Sequence, residues 1–189
     1  LQIENLDHLG LVASLVDELG WVELTDELIE PHCLEHVSAG QVVKAMILNA
    51  LGFLSAPLYL FSEFFESQAV SHLLGTGVEA HYLNDDRLSR VLDKLYEVGT
   101  TAFLMKVGLQ AVNRFAIDIQ QRHLDATSLS GEGECDTASE AASAVPPELE
   151  TVAEPTPIRL CRGYSRDHRP DLKQFLMTQV CVADGSVPL

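Results

Sequence analysis

Apolar residues recur at helical spacing through residues 6–117. In "LDHLGLVASLVDELG" the side chains of Leu6, Leu9, Val12, Val16 and Leu19 fall on one face, and Gly20 follows where a helix stop belongs. "SAGQVVKAMILNALG" opens with Ser38 in N-cap position and Gln41 three residues on, the spacing of a capping box. Its body is apolar nearly all round, which predicts a helix buried at the centre of a bundle. Pro57 suits the first turn of "PLYLFSEFFES". Asn84, followed by Asp85 and Asp86, marks the next start, because a side-chain acceptor and two carboxylates complement a helix N-terminus. Leu88, Val91, Leu92 and Leu95 make the inward face of that helix, while Arg87, Arg90 and Lys94 share another. "GTTAFLMKVGLQAVNRFAI" predicts a further helix after a break near Gly99. Residues 1–118 therefore read as a bundle of about five or six helices with short connections.

The pattern changes after Ile117. "RHLDATSL" alternates in side-chain direction and is too short for a useful helix, so residues 119–129 read as a strand. Residues 130–157 hold four prolines, no aromatic residue and many small or acidic ones, a composition that cannot bury enough apolar area to offset ordering entropy. They read as a disordered acidic insertion. In 158–189, "PIRLCRG" predicts a short strand, and "QFLMTQVCVADGSVPL" a strand, a turn at Asp184-Gly185 and the start of its antiparallel partner. The expected class is α+β, an all-α bundle followed by strands. No internal repeat is apparent.

Composition narrows the function classes. The 189 residues are 47% hydrophobic and 21% charged, enough for a real core. No apolar run reaches the ~18–20 residues that span a bilayer, and no basic segment precedes a cleavable apolar one. A soluble, cytoplasmic protein without a membrane partner is expected. Cys33, Cys135, Cys161 and Cys181 form no CxxC pair, which points to reduced thiols rather than a disulfide framework or zinc ribbon. "PHCLEH" brings His32, Cys33 and His36 close in sequence, a metal cluster or a polar loop. The formal charge is −16, yet residues 158–189 carry five basic and three acidic side chains. A phosphate-binding surface must therefore be local, since counterion release needs clustered cations.

Asp125 stands out chemically. Aspartate is disfavoured inside strands, and this one sits mid-strand with His123, Thr127 and Leu129 on its face. A rigidly held carboxylate suits Mg²⁺, which takes one or two carboxylates and keeps waters. The alternative is an edge residue, or one hydrogen-bonded to a nearby loop. Arg87, Arg90 and Lys94 form either a DNA-facing surface or a solvated face, with Asp93 and Glu97 close by. His8, His72 and His81 read as surface residues or local hydrogen-bonding groups. Trp21 and the aromatics from Phe53 to Phe65 read as core.

"ENLDHLGLVASLVDELGWVEL", "VSAGQVVKAMILNALGFLSAPLYLFSEFFE", "LNDDRLSRVLDKLYEVG", "HLDATSL" and "GYSRDHRPDLKQFL" together resemble the N-terminal half of DDE-type insertion-sequence transposases. These place a helical domain ahead of an RNase-H-like catalytic domain. The likeness covers nearly the whole chain except the acidic insertion. It implies Mg²⁺-dependent DNA cleavage and strand transfer by three carboxylates and two metal ions, one activating the nucleophile and one the leaving oxygen. Asp125 matches the first carboxylate. Asp167, Asp171 and Asp184, on a loop and a turn, do not match the others. The resemblance thus implies a truncated domain, a fragment that also begins at Leu1 rather than Met. Such a fragment is expected to be inactive alone, so whether this chain is an enzyme stays open.

The implied partner is DNA, both element ends and target, with a homo-oligomer also expected. In the charged run from Gly163, Arg166, Arg169 and Lys173 can contact phosphates while Asp167 and Asp171 orient them and Tyr164 and His168 stack. The alternative there is a salt-bridged connector that touches no ligand. A different class of function stands beside the transposase reading. It is a non-enzymatic DNA-end-binding or dimerising helical module, a transposition inhibitor or remnant.

Overall fold

Ser38 and Gln41 lock the start of the helix around which the first part of the chain packs. The Gln41 N–H donates to the Ser38 hydroxyl at 3.2 Å, and the Ser38 N–H donates to the Gln41 carboxamide oxygen at 2.9 Å. Two otherwise unpaired donors are thereby satisfied. Gln41 also donates to the Leu74 carbonyl at 3.0 Å, tying the same helix to a second one.

The computed structural model describes residues 6–31, 35–52, 56–132, 160–164 and 168–189. The chain divides into two compact units, Leu1–Ala116 and Ile117–Leu189. The first holds seven described helices: α1 (Leu9–Glu18), α2 (Trp21–Leu28), α3 (Ala39–Ala50), α4 (Phe61–Glu66), α5 (Val70–Leu74), α6 (Asp85–Val98) and α7 (Thr100–Phe115). Short 3-10 turns at Leu58–Leu60 and Ala80–Tyr82 precede α4 and α6. The second holds β1 (Arg122–Gly131) and β2 (Lys173–Val182). The class is α+β.

The helix count exceeds the sequence expectation because α2 and α5, at eight and five residues, are too short for an apolar period to register. In α1 the buried stripe is Leu9, Ala13 and Val16, with Val12 packed beside it and Leu6 largely exposed. The expected face is thus rotated toward Ala13.

Val42, Ala45 and Leu48 of α3 are fully buried with Phe65, Leu73, Leu88 and Val91, and Phe61 is nearly so. Each large side chain contributes roughly 1.5–3 kcal/mol on leaving water. Phe64 meets the Phe65 ring edge-on at 4.9 Å, and Trp21 packs at the margin of the same cluster. Phe53 lies outside the described residues. Among the described residues three buried polar side chains have partners, Thr25 Oγ1 donating to the Trp21 carbonyl at 2.7 Å. Asn49 donates to the Ala56 carbonyl at 2.9 Å and accepts its N–H at 2.8 Å. Lys44 reaches Asp17 Oδ1 at 2.6 Å. On α6 the Asn84 side chain accepts the Arg87 N–H at 2.9 Å, as the cap signal predicts. Gly99, at φ +91°, is at once the C-cap of α6 and the N-cap of α7, a single-residue joint that an L side chain would strain.

In the second unit β1 and β2 pair antiparallel over ten residues, Arg122 opposite Val182 through Gly131 opposite Lys173. β1 runs past the expected end at Leu129 because Ser130 and Gly131 continue the ladder against Gln174 and Lys173. From residue 133 to 159 the acidic segment lies outside the described residues. The strand expected in "PIRLCRG" is a single bridge in the described part, Cys161 and Gln174 exchanging N–H···O bonds of 3.1 and 2.8 Å. After β2 the chain turns through Asp184 and Gly185. Val182 then donates to the Val187 carbonyl at 2.9 Å, and Leu189 to the Val180 carbonyl at 2.8 Å.

Candidate functional site

A cleft of about 470 Å³ opens between α6 and the residues just before α3. Its working side chains are Glu35, His36, Tyr82, Arg87, Arg90 and Lys94. The sequence placed the three cations on one face, and the structure gives them three different tasks. Arg87 is largely buried and grips both Glu35 oxygens. Lys94 stands 3.8 Å from the same carboxylate and is partly exposed. Arg90 pairs with Asp86 one turn back at 2.7 Å, both side chains mostly in solvent. Such an exposed i,i+4 pair contributes about 0.3–0.5 kcal/mol, so Arg90 exchanges partners at little cost.

The His36 ring lies flat on Tyr82, centroids 4.6 Å apart and planes 10° from parallel. His81 approaches the Tyr82 ring at 4.2 Å and also pairs with Glu79 at 3.2 Å. Pattern reasoning missed Glu35 and Tyr82, and read His36 only as part of a metal cluster or polar loop. Glu35 precedes its partner by 52 residues, and no local period links them. The charged "EH" ahead of a strong N-cap was the one available signal. His32 and Cys33 of "PHCLEH" lie outside the described residues. His8 Nε2 donates to the Leu51 carbonyl at 2.8 Å, 43 residues along the chain. His72 is exposed.

Asp125 sits inside β1 opposite Gln179, with the pair His123 and Cys181 on the same face. It is exposed, and its Oδ1 accepts the Ala126 N–H at 2.9 Å. Among the described residues no group of three or more His, Cys, Asp or Glu is placed to hold a metal ion. Asp125 offers one carboxylate, and the described residues do not assemble around it the oxygen-rich set that Mg²⁺ takes.

In the charged connector, Arg166 and Asp167 lie outside the described residues. Arg169 forks Asp171 through Nε at 2.9 Å and Nη2 at 2.8 Å. That hydrogen bond holds the Asp171 carboxyl below the usual aspartate range, assisted by the charges of Arg169 and Arg162, and raises the Arg169 guanidinium above its ordinary value. Lys173 opens β2, partly buried. Tyr164 is 90% exposed, and its carbonyl accepts Gln174 Nε2 at 2.6 Å. Cys181 is a free thiol, partly buried.

A family model described as a domain of unknown function, DUF4277, matches residues 1–109. The chain belongs to the DUF4277 family. The DUF4277 match runs from before α1 into α7 and contains the whole cleft, whereas Asp125 and the charged connector follow it. Comparison with curated proteins and with solved structures returns no match. Among the described residues, no helix of this DUF4277 protein is long and apolar enough to cross a membrane.

Proposed function

We propose that this chain is part of a DDE-type transposase of an insertion sequence, acting in the cytoplasm on DNA. Its DUF4277 unit contacts DNA through α6, and Asp125 is the first carboxylate of an RNase-H-like domain. The observation that carries the reading is the run of resembling segments, above all "LNDDRLSRVLDKLYE" and "GYSRDHRPDLKQ", which spans both units. A mid-strand position for Asp125, with an antiparallel partner strand, supports it. So does a cation-bearing cleft in a chain of formal charge −16. Mg²⁺, when bound in such an enzyme, activates the attacking oxygen and stabilises the leaving one. Asp125 is the ligand this chain would contribute. Arg90, Lys94, Arg166, Arg169 and Lys173 would meet phosphates, and Arg87 positions the cleft.

A second reading has its own support. Every member of the helical core lies between Leu9 and Val98, so the DUF4277 unit holds together by its own packing. It would then serve as a non-enzymatic DNA-end-binding or dimerising module that competes with intact transposase.

Gel-shift titration tests what the two share, using DNA from either side of the coding sequence against unrelated DNA of equal length. Salt-sensitive binding that prefers the flanking DNA is expected; equal affinity for both sinks the two readings together. The nucleotide sequence after the Leu189 codon separates them. A continuing frame with a strand-borne Asp and a later Glu supports the enzyme, and a stop codon supports the module.

A further inference from the structure

Arg87 staples the Glu35–Val37 loop to α6 from both ends. Its Nη1 and Nη2 take the two Glu35 oxygens at 2.6 and 2.9 Å, and Nη2 also takes the Val37 carbonyl at 2.8 Å. His36, between these anchors, is left exposed and laid on Tyr82. Its ring therefore has one face occupied and the other to offer, in an orientation already set before anything binds. We propose that the cleft takes an unpaired nucleotide, with its base stacked on His36 and its phosphate between Arg90 and Lys94.

This inference rests on the DNA reading above and goes beyond it by naming what the cleft holds. Bases in a duplex hide their faces in the stack, so a flat ring platform serves only a base that has left it. Stacking is tolerant of base identity because every base has a π-face. The volume, about 470 Å³, lies within the range of small-molecule pockets. Glu35 and Asp86 also line the cleft, but each already faces a cation. Glu35 is gripped by Arg87 at 2.6 Å and stands 3.8 Å from Lys94, so a phosphate competes with that longer contact at Lys94 and displaces the exposed Asp86 from Arg90. Arg87 Nε remains buried without a hydrogen-bond partner, so the guanidinium has donor capacity beyond the staple. A pre-set loop loses little freedom on binding, which is where affinity is usually lost.

The test measures binding of the 189-residue chain to a blunt duplex, the same duplex with a short single-stranded tail, and dTMP. The wild-type chain is expected to prefer the tailed duplex by roughly 5- to 150-fold, the range of one stacked base. His36→Ala removes the preference and His36→Phe keeps it, with thermal melts confirming that both fold. Arg90→Ala/Lys94→Ala flattens the log–log salt slope for the tailed duplex by about 0.7, one single-strand phosphate. Equal wild-type affinity for tailed and blunt duplexes overturns the nucleotide site and leaves the DNA reading standing. Binding of dTMP without either duplex keeps the site, moves its source to free nucleotides and removes the DNA reading. Binding of none of the three overturns both.

Discussion

Arg87 and Glu35 meet fork to fork, at 2.6 and 2.9 Å, with side chains only 12% and 17% exposed. Parallel N–H···O bonds between a planar guanidinium and a carboxylate combine charge with fixed geometry. Removing one partner strands the other in a largely dry setting. Arg87→Ala is expected to destabilise the helical unit by about 2–4 kcal/mol in urea titration. Arg87→Lys should recover less than half of that, because an ammonium cannot span both oxygens and the Val37 carbonyl. An unchanged midpoint for Arg87→Ala would show the pair to be idle.

Lys44 presents the converse case. Its side chain is 5% exposed while its partner Asp17 is 57% exposed. The ammonium depends on one carboxylate that water also reaches. Asp17→Ala should cost about 1–3 kcal/mol by leaving that buried cation unpaired. Lys44→Met, which removes the charge and keeps the stem, should fall within about 1 kcal/mol of wild type. The ranking of the two by chemical denaturation is the check. A Lys44→Met variant less stable than Asp17→Ala would mean the ion pair itself holds α3 to α1.

Gly40 lets α3 lie against the backbone of α2. A Cβ there would meet Val22 backbone atoms, its Cα at 2.7 Å and its carbonyl carbon at 2.8 Å, and no rotamer change relieves a backbone clash. The Gly40 N–H also donates to Asp26 at 2.7 Å. Gly40→Ala should therefore lose about 1–3 kcal/mol, despite alanine's better helix propensity. Gly10→Ala, whose new methyl would meet only the largely exposed Leu6 side chain, Cγ at 3.0 Å, is the control and should be neutral or stabilising as that side chain shifts. Thermal melts of the two variants make the comparison.

The Asp171 carboxyl should titrate below the ordinary aspartate range in a carbon-detected NMR pH series. The cause is the Arg169 hydrogen bond, so Arg169→Ala should move its midpoint upward. A carboxylate whose folded value is depressed adds stability above its unfolded value and loses it as pH falls through the folded one. Both groups are exposed, so the effect belongs to the connector's local order rather than to global stability. A midpoint unmoved by Arg169→Ala would mean the fork does not persist in solution.

Much of the helical unit was legible in the residues. Ser38 with Gln41 and Asn84 with its two aspartates announce their helices because caps act within a single turn. Leu88 and Val91 are buried where the period puts them. The face of Arg87, Arg90 and Lys94 was legible as a face, but not that Arg87 would turn inward. Cys161, within the expected strand "PIRLCRG", makes one bridge in the described part, on the edge of β2 opposite β1.

By itself the sequence determined where the longer segments coil or extend and that Leu88 and Val91 of α6 face inward. These depend on neighbours a few residues away, through backbone hydrogen bonds and apolar period. Only the tertiary structure decided which charges are spent internally and which remain for a ligand. Arg87 meets Glu35 across 52 residues, and His36 finds Tyr82 through the same packing. Such encounters are set by how helices close on a shared core, and no local pattern encodes them.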